Sequence, residues 1–269
     1  MGGPFPAGVG LLVVGHGTAD PVGAAETQAV ADAVAELLPG VAVELGFLEV
    51  IGPTIGDALE RLAGRGCCEV VAAPLLLFAA GHAKRDVPEA IAGPAATLGL
   101  RVCQTEPFGC QAEIVELSRR RRHEAVADLR PVPPAETVLL MVGRGSSDPG
   151  GVSQLRSFTE ASLADEPGGR PRRIELGFVA AARPSLDEAI ATACDPMAGE
   201  VRRILVQPHL LFRGHVEEQV SKAVCIGRDL RPELEWVQVA RLGADRLVAR
   251  AFVIRAVESI GPESLSRQG

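Results

Sequence analysis

The chain has 269 residues, 47% of them apolar and 23% charged, with a formal net charge of −7. That length makes one large domain or two of about 130 residues each, with enough aliphatic material for buried cores. The acidic balance excludes a general nucleic-acid or anionic-membrane surface, which needs a basic face, and no apolar run approaches the roughly 20 residues of a membrane span.

From the N-terminus, aliphatic runs at 9–14, 41–47, 69–77 and 100–105 have the length and branching of buried strands. Stretches with helical spacing lie near 23–38, 54–64, 84–98 and 111–128. The basic run Arg119–Arg122 then gives way to RPVPPAE at 130–136, whose prolines read as a hinge. Beyond it the pattern repeats, with strands near 137–142, 172–178, 202–210 and 235–240 and helices near 151–164, 185–197, 216–229 and 244–258.

The second half copies the first. LLVVGHGTADP at 11–21 returns as LLMVGRGSSDP at 139–149, and VELGFLEVIGPTIGDAL at 43–59 as IELGFVAAARPSLDEAI at 174–190. PLLLFAAGH at 74–82 returns one residue shorter as PHLLFRGH at 208–215. Preserved order and spacing mark a tandem duplication. Regular strand–helix alternation implies parallel strands with helices on both faces. The expected fold is therefore two homologous α/β domains, 1–130 and 137–269 with a linker at 131–136, each a four-stranded, mainly parallel sheet.

Six cysteines without a C-x-x-C pair read as buried free thiols in a reducing compartment, and MGGPFPAG lacks the parts of a secretion signal, so a cytoplasmic setting is expected.

Open parallel sheets bind ligands outside the carboxyl ends of their strands. His16 follows the first strand in G-H-G-T-A-D, Glu49 follows VELGF ahead of Pro53, and His82 follows PLLLFAAG at a strand-to-helix turn. Each has a plain alternative: His16 as a turn residue, Glu49 as a solvated carboxylate, His82 as a helix cap. Those alternatives do not predict convergence on one sheet edge. Neutral imidazoles suit cobalt, nickel, iron and zinc, and a carboxylate adds charge balance and a proton acceptor. The second copy has Arg144 for His16 and Ala180 for Glu49 while keeping His215 for His82. Its scaffold is kept and two of the three polar groups are lost, which assigns the reaction to the first copy. The motif around His16 matches neither G-x-G-x-x-G nor G-x-x-x-x-G-K-[ST], so a nucleotide site is not expected. A histidine phosphatase would want an Arg where Gly15 stands.

G-H-G-T, G-F-L-E followed by P-T-I, and P-L-L-L-F-A-A-G-H-A-K-R-D-V-P at 74–88 together resemble the sirohydrochlorin chelatases, the cobalto- and ferrochelatases of the class II group, in their long two-copy CbiX-type form. The resemblance covers the whole chain. It implies a lyase that inserts a divalent metal into sirohydrochlorin without ATP, for cobalamin or siroheme biosynthesis. The metal, Co2+ or Fe2+ and possibly Ni2+, is a substrate, and no cofactor or iron–sulfur cluster is implied. The family's active-site residues match His16, Glu49 and His82, with Glu49 a ligand or a proton acceptor. Substrate carboxylates would meet Lys84 and Arg85, and, if the second copy faces the same cleft, Arg144, Arg213 and His215. Two copies in one chain suit a monomer acting as an internal pseudo-dimer. The alternatives are a non-enzymatic metal or tetrapyrrole carrier and a two-lobed small-molecule binding protein.

Overall fold

A computed structural model describes residues 5–78, 85–148, 150–166, 168–195 and 200–260. The first half runs β1 (Val9–Gly15), α1 (Pro21–Leu37), β2 (Ala42–Phe47), α2 (Ile55–Gly64), β3 (Glu69–Pro74), α3 (Val87–Leu98), β4 (Arg101–Gln104) and α4 (Ala112–Val126). A short 3-10 turn at Pro134–Glu136 leads into β5 (Thr137–Gly143), α5 (Gly150–Ser162), β6 (Arg173–Phe178), α6 (Leu186–Ala193), β7 (Arg203–Pro208), α7 (His215–Leu230), β8 (Glu235–Gln238) and α8 (Arg246–Glu258).

Each half forms one four-stranded sheet, ordered β2-β1-β3-β4 or β6-β5-β7-β8, with every pair parallel. Parallel neighbours need a crossover, and the intervening helices supply it. β1 and β5 are central and consist of small or aliphatic residues buried along most of their length, as a strand covered on both faces must be. Chain direction across the sheet reverses at β1, which places the carboxyl end of β1 at the switch point of the first sheet.

The expected strands at 69–77 and 202–210 stop early, at Pro74 and Pro208. Proline offers no N–H to continue a ladder. Beyond Pro74 the chain turns aside, and the carbonyls of Leu76 and Leu77 accept from the N–H groups of Phe108 and Gly109. Leu210 and Leu211 do the same for Leu242 and Gly243.

The two compact units do not follow the repeat boundaries. One comprises Met1–Glu113 with Ala244–Gly269, and the other Ile114–Gly243. The copies have exchanged their last helices: α8 packs on α1 and β3, while nearly all of α4 belongs to the second unit. Matching contacts mark the exchange. Arg255 of α8 donates to the Phe108 carbonyl at 3.0 Å, and its counterpart Arg121 of α4 donates to the Leu242 carbonyl at 2.9 Å. Residues 131–136, expected as an interdomain linker, lie inside the second unit, where Pro134 accepts from the Arg172 N–H and Pro133 from the Thr137 hydroxyl.

Core chemistry explains the pairing. Arg122 of α4 is 3% exposed and donates to the carboxylate of Glu166 at 2.6 Å, to the Ser162 carbonyl at 2.5 Å and to the Gln207 side chain at 3.0 Å. Gln207 in turn donates to the carbonyl and hydroxyl of Ser118. At the corresponding positions the first unit has Val34, Leu38, Ala73, Phe252 and Ala256, all buried and apolar. α4 carries polar groups whose partners exist only in the second unit.

The same unit holds a second buried polar group. His209 takes the place of Leu75 and lies against Phe158, with ring centroids 4.0 Å apart. Burial lowers its imidazole to about 3 from the ordinary 6.5. The folded state therefore excludes a proton that the unfolded chain binds, so stability is full above about 6.5 and falls as pH drops toward 3. The slope approaches about 1.4 kcal/mol per pH unit. His209→Leu is expected to gain roughly 3 kcal/mol of stability relative to wild type on going from pH 7.5 to pH 4.5. Urea unfolding at the two pH values checks this, and parallel pH profiles would refute it.

The six cysteines are free, as expected, but none is buried. Cys67 and Cys194 are half-buried and the others exposed, because they occupy positions such as the edge strand β4 and the outer face of α7. No described helix is long and apolar enough to cross a membrane.

Candidate functional site

The loops after β1 and β2 are held together by a continuation of the strand ladder. Leu48 N–H donates to the Gly15 carbonyl at 2.9 Å and Glu49 N–H to the His16 carbonyl at 3.1 Å. This extension carries His16 and Glu49 past the strand ends side by side. Their side chains meet, with His16 Nε2 3.3 Å from a Glu49 carboxylate oxygen, the imidazole partly covered and the carboxylate largely solvated. Two ligand atoms about 2.1 Å from one first-row cation sit about 3.0 Å apart at right angles and about 3.4 Å apart at the tetrahedral angle. The pair has the spacing of neighbouring ligands on one metal ion. Among the described residues no group of three metal-holding side chains occurs.

Gly17 is the residue that permits this approach. Its φ is 97°, and a Cβ there would lie 1.9 Å from the Glu49 carbonyl oxygen. Gly145 repeats the arrangement, its Cβ position 1.7 Å from the Ala180 carbonyl oxygen. Gly17→Ala should therefore cost roughly 2 kcal/mol or more and separate His16 from Glu49. An unfolding midpoint within error of wild type would contradict that steric reading.

The other polar residues of the first motif are local. Asp20 caps α1 by accepting from the N–H groups of Val22 and Gly23 at 2.8 and 3.0 Å, and its own N–H donates to the Thr18 hydroxyl at 3.1 Å. In the second copy the Asp148 N–H donates to the Ser146 hydroxyl at 3.0 Å and the Asp148 carboxylate accepts from the Gly150 N–H at 2.9 Å. Shared caps are kept in both copies; His16 and Glu49 are not part of them.

His82 and Lys84 lie outside the described residues. Arg85 is exposed just ahead of α3. In the second unit Arg144 stands at the His16 place, exposed, its carbonyl accepting from the Ala180 N–H at 2.9 Å. Arg213 and His215 are exposed after β7, and His215 opens α7 within contact of Gln219 and Glu218 on the same helix. The loop from Phe178 to Arg183, with Ser185, borders an open groove of about 570 Å3. There Ala180, Ala181 and Ala182 replace Glu49, Val50 and Ile51 of the first copy.

A family model described as CbiX matches residues 10–125 and again 138–259. The chain belongs to the CbiX family. A sirohydrochlorin ferrochelatase of Priestia megaterium is 30% identical over 213 residues, covering 79% of this chain and 76% of that protein. A sirohydrochlorin cobaltochelatase of the same organism is 26% identical over 225 residues, covering 83% and 70%. Among solved structures, SirB from Bacillus subtilis with Fe3+ shares the fold, with a TM-score of 0.81, 24% identity, and 97% and 98% of the two chains covered. The matched ranges run from β1 to α4 and from β5 to α8, so each CbiX repeat ends with the helix it has exchanged.

Two features of these CbiX repeats went unread in the sequence. Arg122 sits in the run of four arginines ahead of the proline-rich segment, and its neighbours in the fold are Ser162, Glu166 and Gln207. Comparing the two copies position by position would have flagged it, since all three partners replace aliphatic residues. Val50 follows Glu49 with φ of 70°, and a β-branched residue gives no sequence cue for that conformation.

Proposed function

We propose that the chain is a sirohydrochlorin chelatase, an ATP-independent lyase that places Co2+ or Fe2+ in the macrocycle as two pyrrole N–H protons leave. The observation that carries this reading is the His16–Glu49 pair at 3.3 Å, beside Arg144 and Ala180 at the matching places of the second copy. A first unit with a carboxylate and an imidazole at ligand spacing suits a cation. A second unit with arginine there does not.

In this reading His16 holds the hydrated metal as a neutral imidazole, His82 is the further ligand assigned by its G-H-A-K motif, and Glu49 supplies charge balance and takes up pyrrole protons. Lys84 and Arg85 of the first copy, and Arg144, Arg213 and His215 of the second, are the proposed partners of the substrate's carboxylates. Free thiols fit a reducing, cytoplasmic setting, and the duplication supplies both copies to a monomer.

Cobalt and iron both suit imidazole and carboxylate ligands, and affinity order does not choose between them. Initial rates with each metal under anaerobic conditions, followed by the absorbance change of sirohydrochlorin, test the proposal. Insertion above the protein-free rate is expected with both metals. Neither metal exceeding the protein-free rate would overturn it.

A further inference from the structure

Two non-glycine residues among those described have positive φ: Val50 at 70° and Ala181 at 53°. They occupy matching places, one residue past Glu49 and Ala180. Val50 is the centre of a three-residue turn closed by the Ile51 N–H donating to the Glu49 carbonyl at 2.8 Å. With a positive central φ this is the rare, strained form of that turn. A β-branched residue is the least suited to it, whereas glycine adopts it freely.

Strain of this kind persists where something offsets it. Packing within the chain does not, because Val50 is 64% exposed, the most exposed large apolar residue described. The second copy bears on this point. It keeps the backbone conformation but carries Ala181, and it is also the copy in which Glu49 has become Ala180. The side chain at this place shrinks together with loss of the carboxylate, so the turn needs the backbone shape and the first copy alone uses the valine.

We infer that the Val50 side chain is a substrate contact, an apolar seat for the flat face of the tetrapyrrole beside the His16–Glu49 pair. The inference rests on the chelatase reading and adds a specificity residue to it. A macrocycle carrying carboxylates on its rim has an apolar ring face, and a solvated aliphatic group next to the metal-holding side chains gains by covering that face. The gain appears only with ligand bound, which is why the free chain keeps a residue that its own stability disfavours.

The test compares Val50→Thr, Val50→Ala and Val50→Ile. Threonine keeps the β-branch and the backbone restriction and exchanges a methyl for a hydroxyl; alanine reproduces the second copy. Binding of metal-free sirohydrochlorin is read from its fluorescence, and cobalt binding is read separately from its visible absorption. Affinity for the tetrapyrrole should fall about three- to tenfold in the Thr and Ala variants and stay near wild type in the Ile variant, with cobalt affinity unchanged in all three. Thermal stability of the Ala variant should equal or exceed that of wild type, a combination that a structural role does not produce. Wild-type tetrapyrrole affinity in the Thr and Ala variants would overturn the inference and leave the chelatase reading standing. Loss of cobalt binding in step with tetrapyrrole binding would assign Val50 to positioning Glu49 instead and would also overturn it. A wild-type protein that binds no sirohydrochlorin would remove both.

Discussion

His16→Ala is expected to lower the rate of metal insertion by about two to four orders of magnitude while leaving the fold intact, the range that removal of a positioned reacting group costs. The side chain lies past the end of β1, and the backbone there is held by ladder bonds that do not involve the imidazole. Removing it deletes the imidazole nitrogen that lies 3.3 Å from the Glu49 carboxylate. Glu49→Gln is the companion test, because it keeps the shape and removes the charge and the proton-accepting power. Cobalt affinity should drop sharply in His16→Ala, and insertion should slow in both. Arg144→Ala, at the matching place of the second unit, should leave cobalt affinity unchanged and weaken tetrapyrrole binding. Rates within twofold of wild type in His16→Ala would remove the first unit from the reaction.

The largest stability effect is expected at Arg122. Its replacement by methionine leaves the Glu166 carboxylate, the Ser162 carbonyl and the Gln207 side chain without their guanidinium partner in a buried layer. Breaking a buried pair from one side costs about 3–5 kcal/mol, because a charge remains in low dielectric with reduced compensation. Replacing the whole layer is a different matter. Converting Ser118, Arg122, Ser162, Glu166 and Gln207 to Phe, Ala, Val, Leu and Ala, the residues of the first unit, should restore most of that stability, since well-packed apolar groups often equal a buried ion pair. These sites touch one another, so their effects should be strongly non-additive. Urea unfolding of Arg122→Met and of the five-residue variant checks both halves. A loss below about 1 kcal/mol in Arg122→Met would show that the network contributes little.

The same layer bears on why each terminal helix joins the opposite copy. With α4 packed on its own repeat, Arg122 would face Val34, Leu38 and Ala73 with no acceptor in reach, and burying an unpaired charge is among the costliest single errors a fold can make. With α8 on its own repeat, Phe252 and Ala256 would leave Glu166 and Gln207 unpaired. Both errors disappear in the exchanged arrangement.

Most of the architecture was legible because aliphatic strands and helical spacing act locally. Among the described residues, the eight strands and eight α-helices fall within a few residues of where hydrophobic periodicity places them. His16 and Glu49 were legible because a duplicated chain shows which polar residues the scaffold does without. The exchange of α4 and α8 was not, because both helices carry an apolar face that fits either unit by pattern alone. The identity of the five polar residues distinguishes the partners, and that information is spread over α4, the end of α5, the segment after it and β7. The early ends of β3 and β7 were hidden by apolar residues that continue past Pro74 and Pro208 into loops bonded to the segments after β4 and β8. The conformation of Val50 had no local signal, since a β-branched residue is the least expected occupant of a positive-φ position.

The central claim is that the first unit turns over metal and tetrapyrrole rather than storing either. The direct measurement is the amount of metallated sirohydrochlorin formed per protein chain with cobalt and tetrapyrrole in large excess, no ATP present and the protein-free rate subtracted. Product well beyond one equivalent per chain, abolished in His16→Ala, is the expected result. A plateau at one equivalent, however tight the binding, would contradict catalysis and identify a carrier.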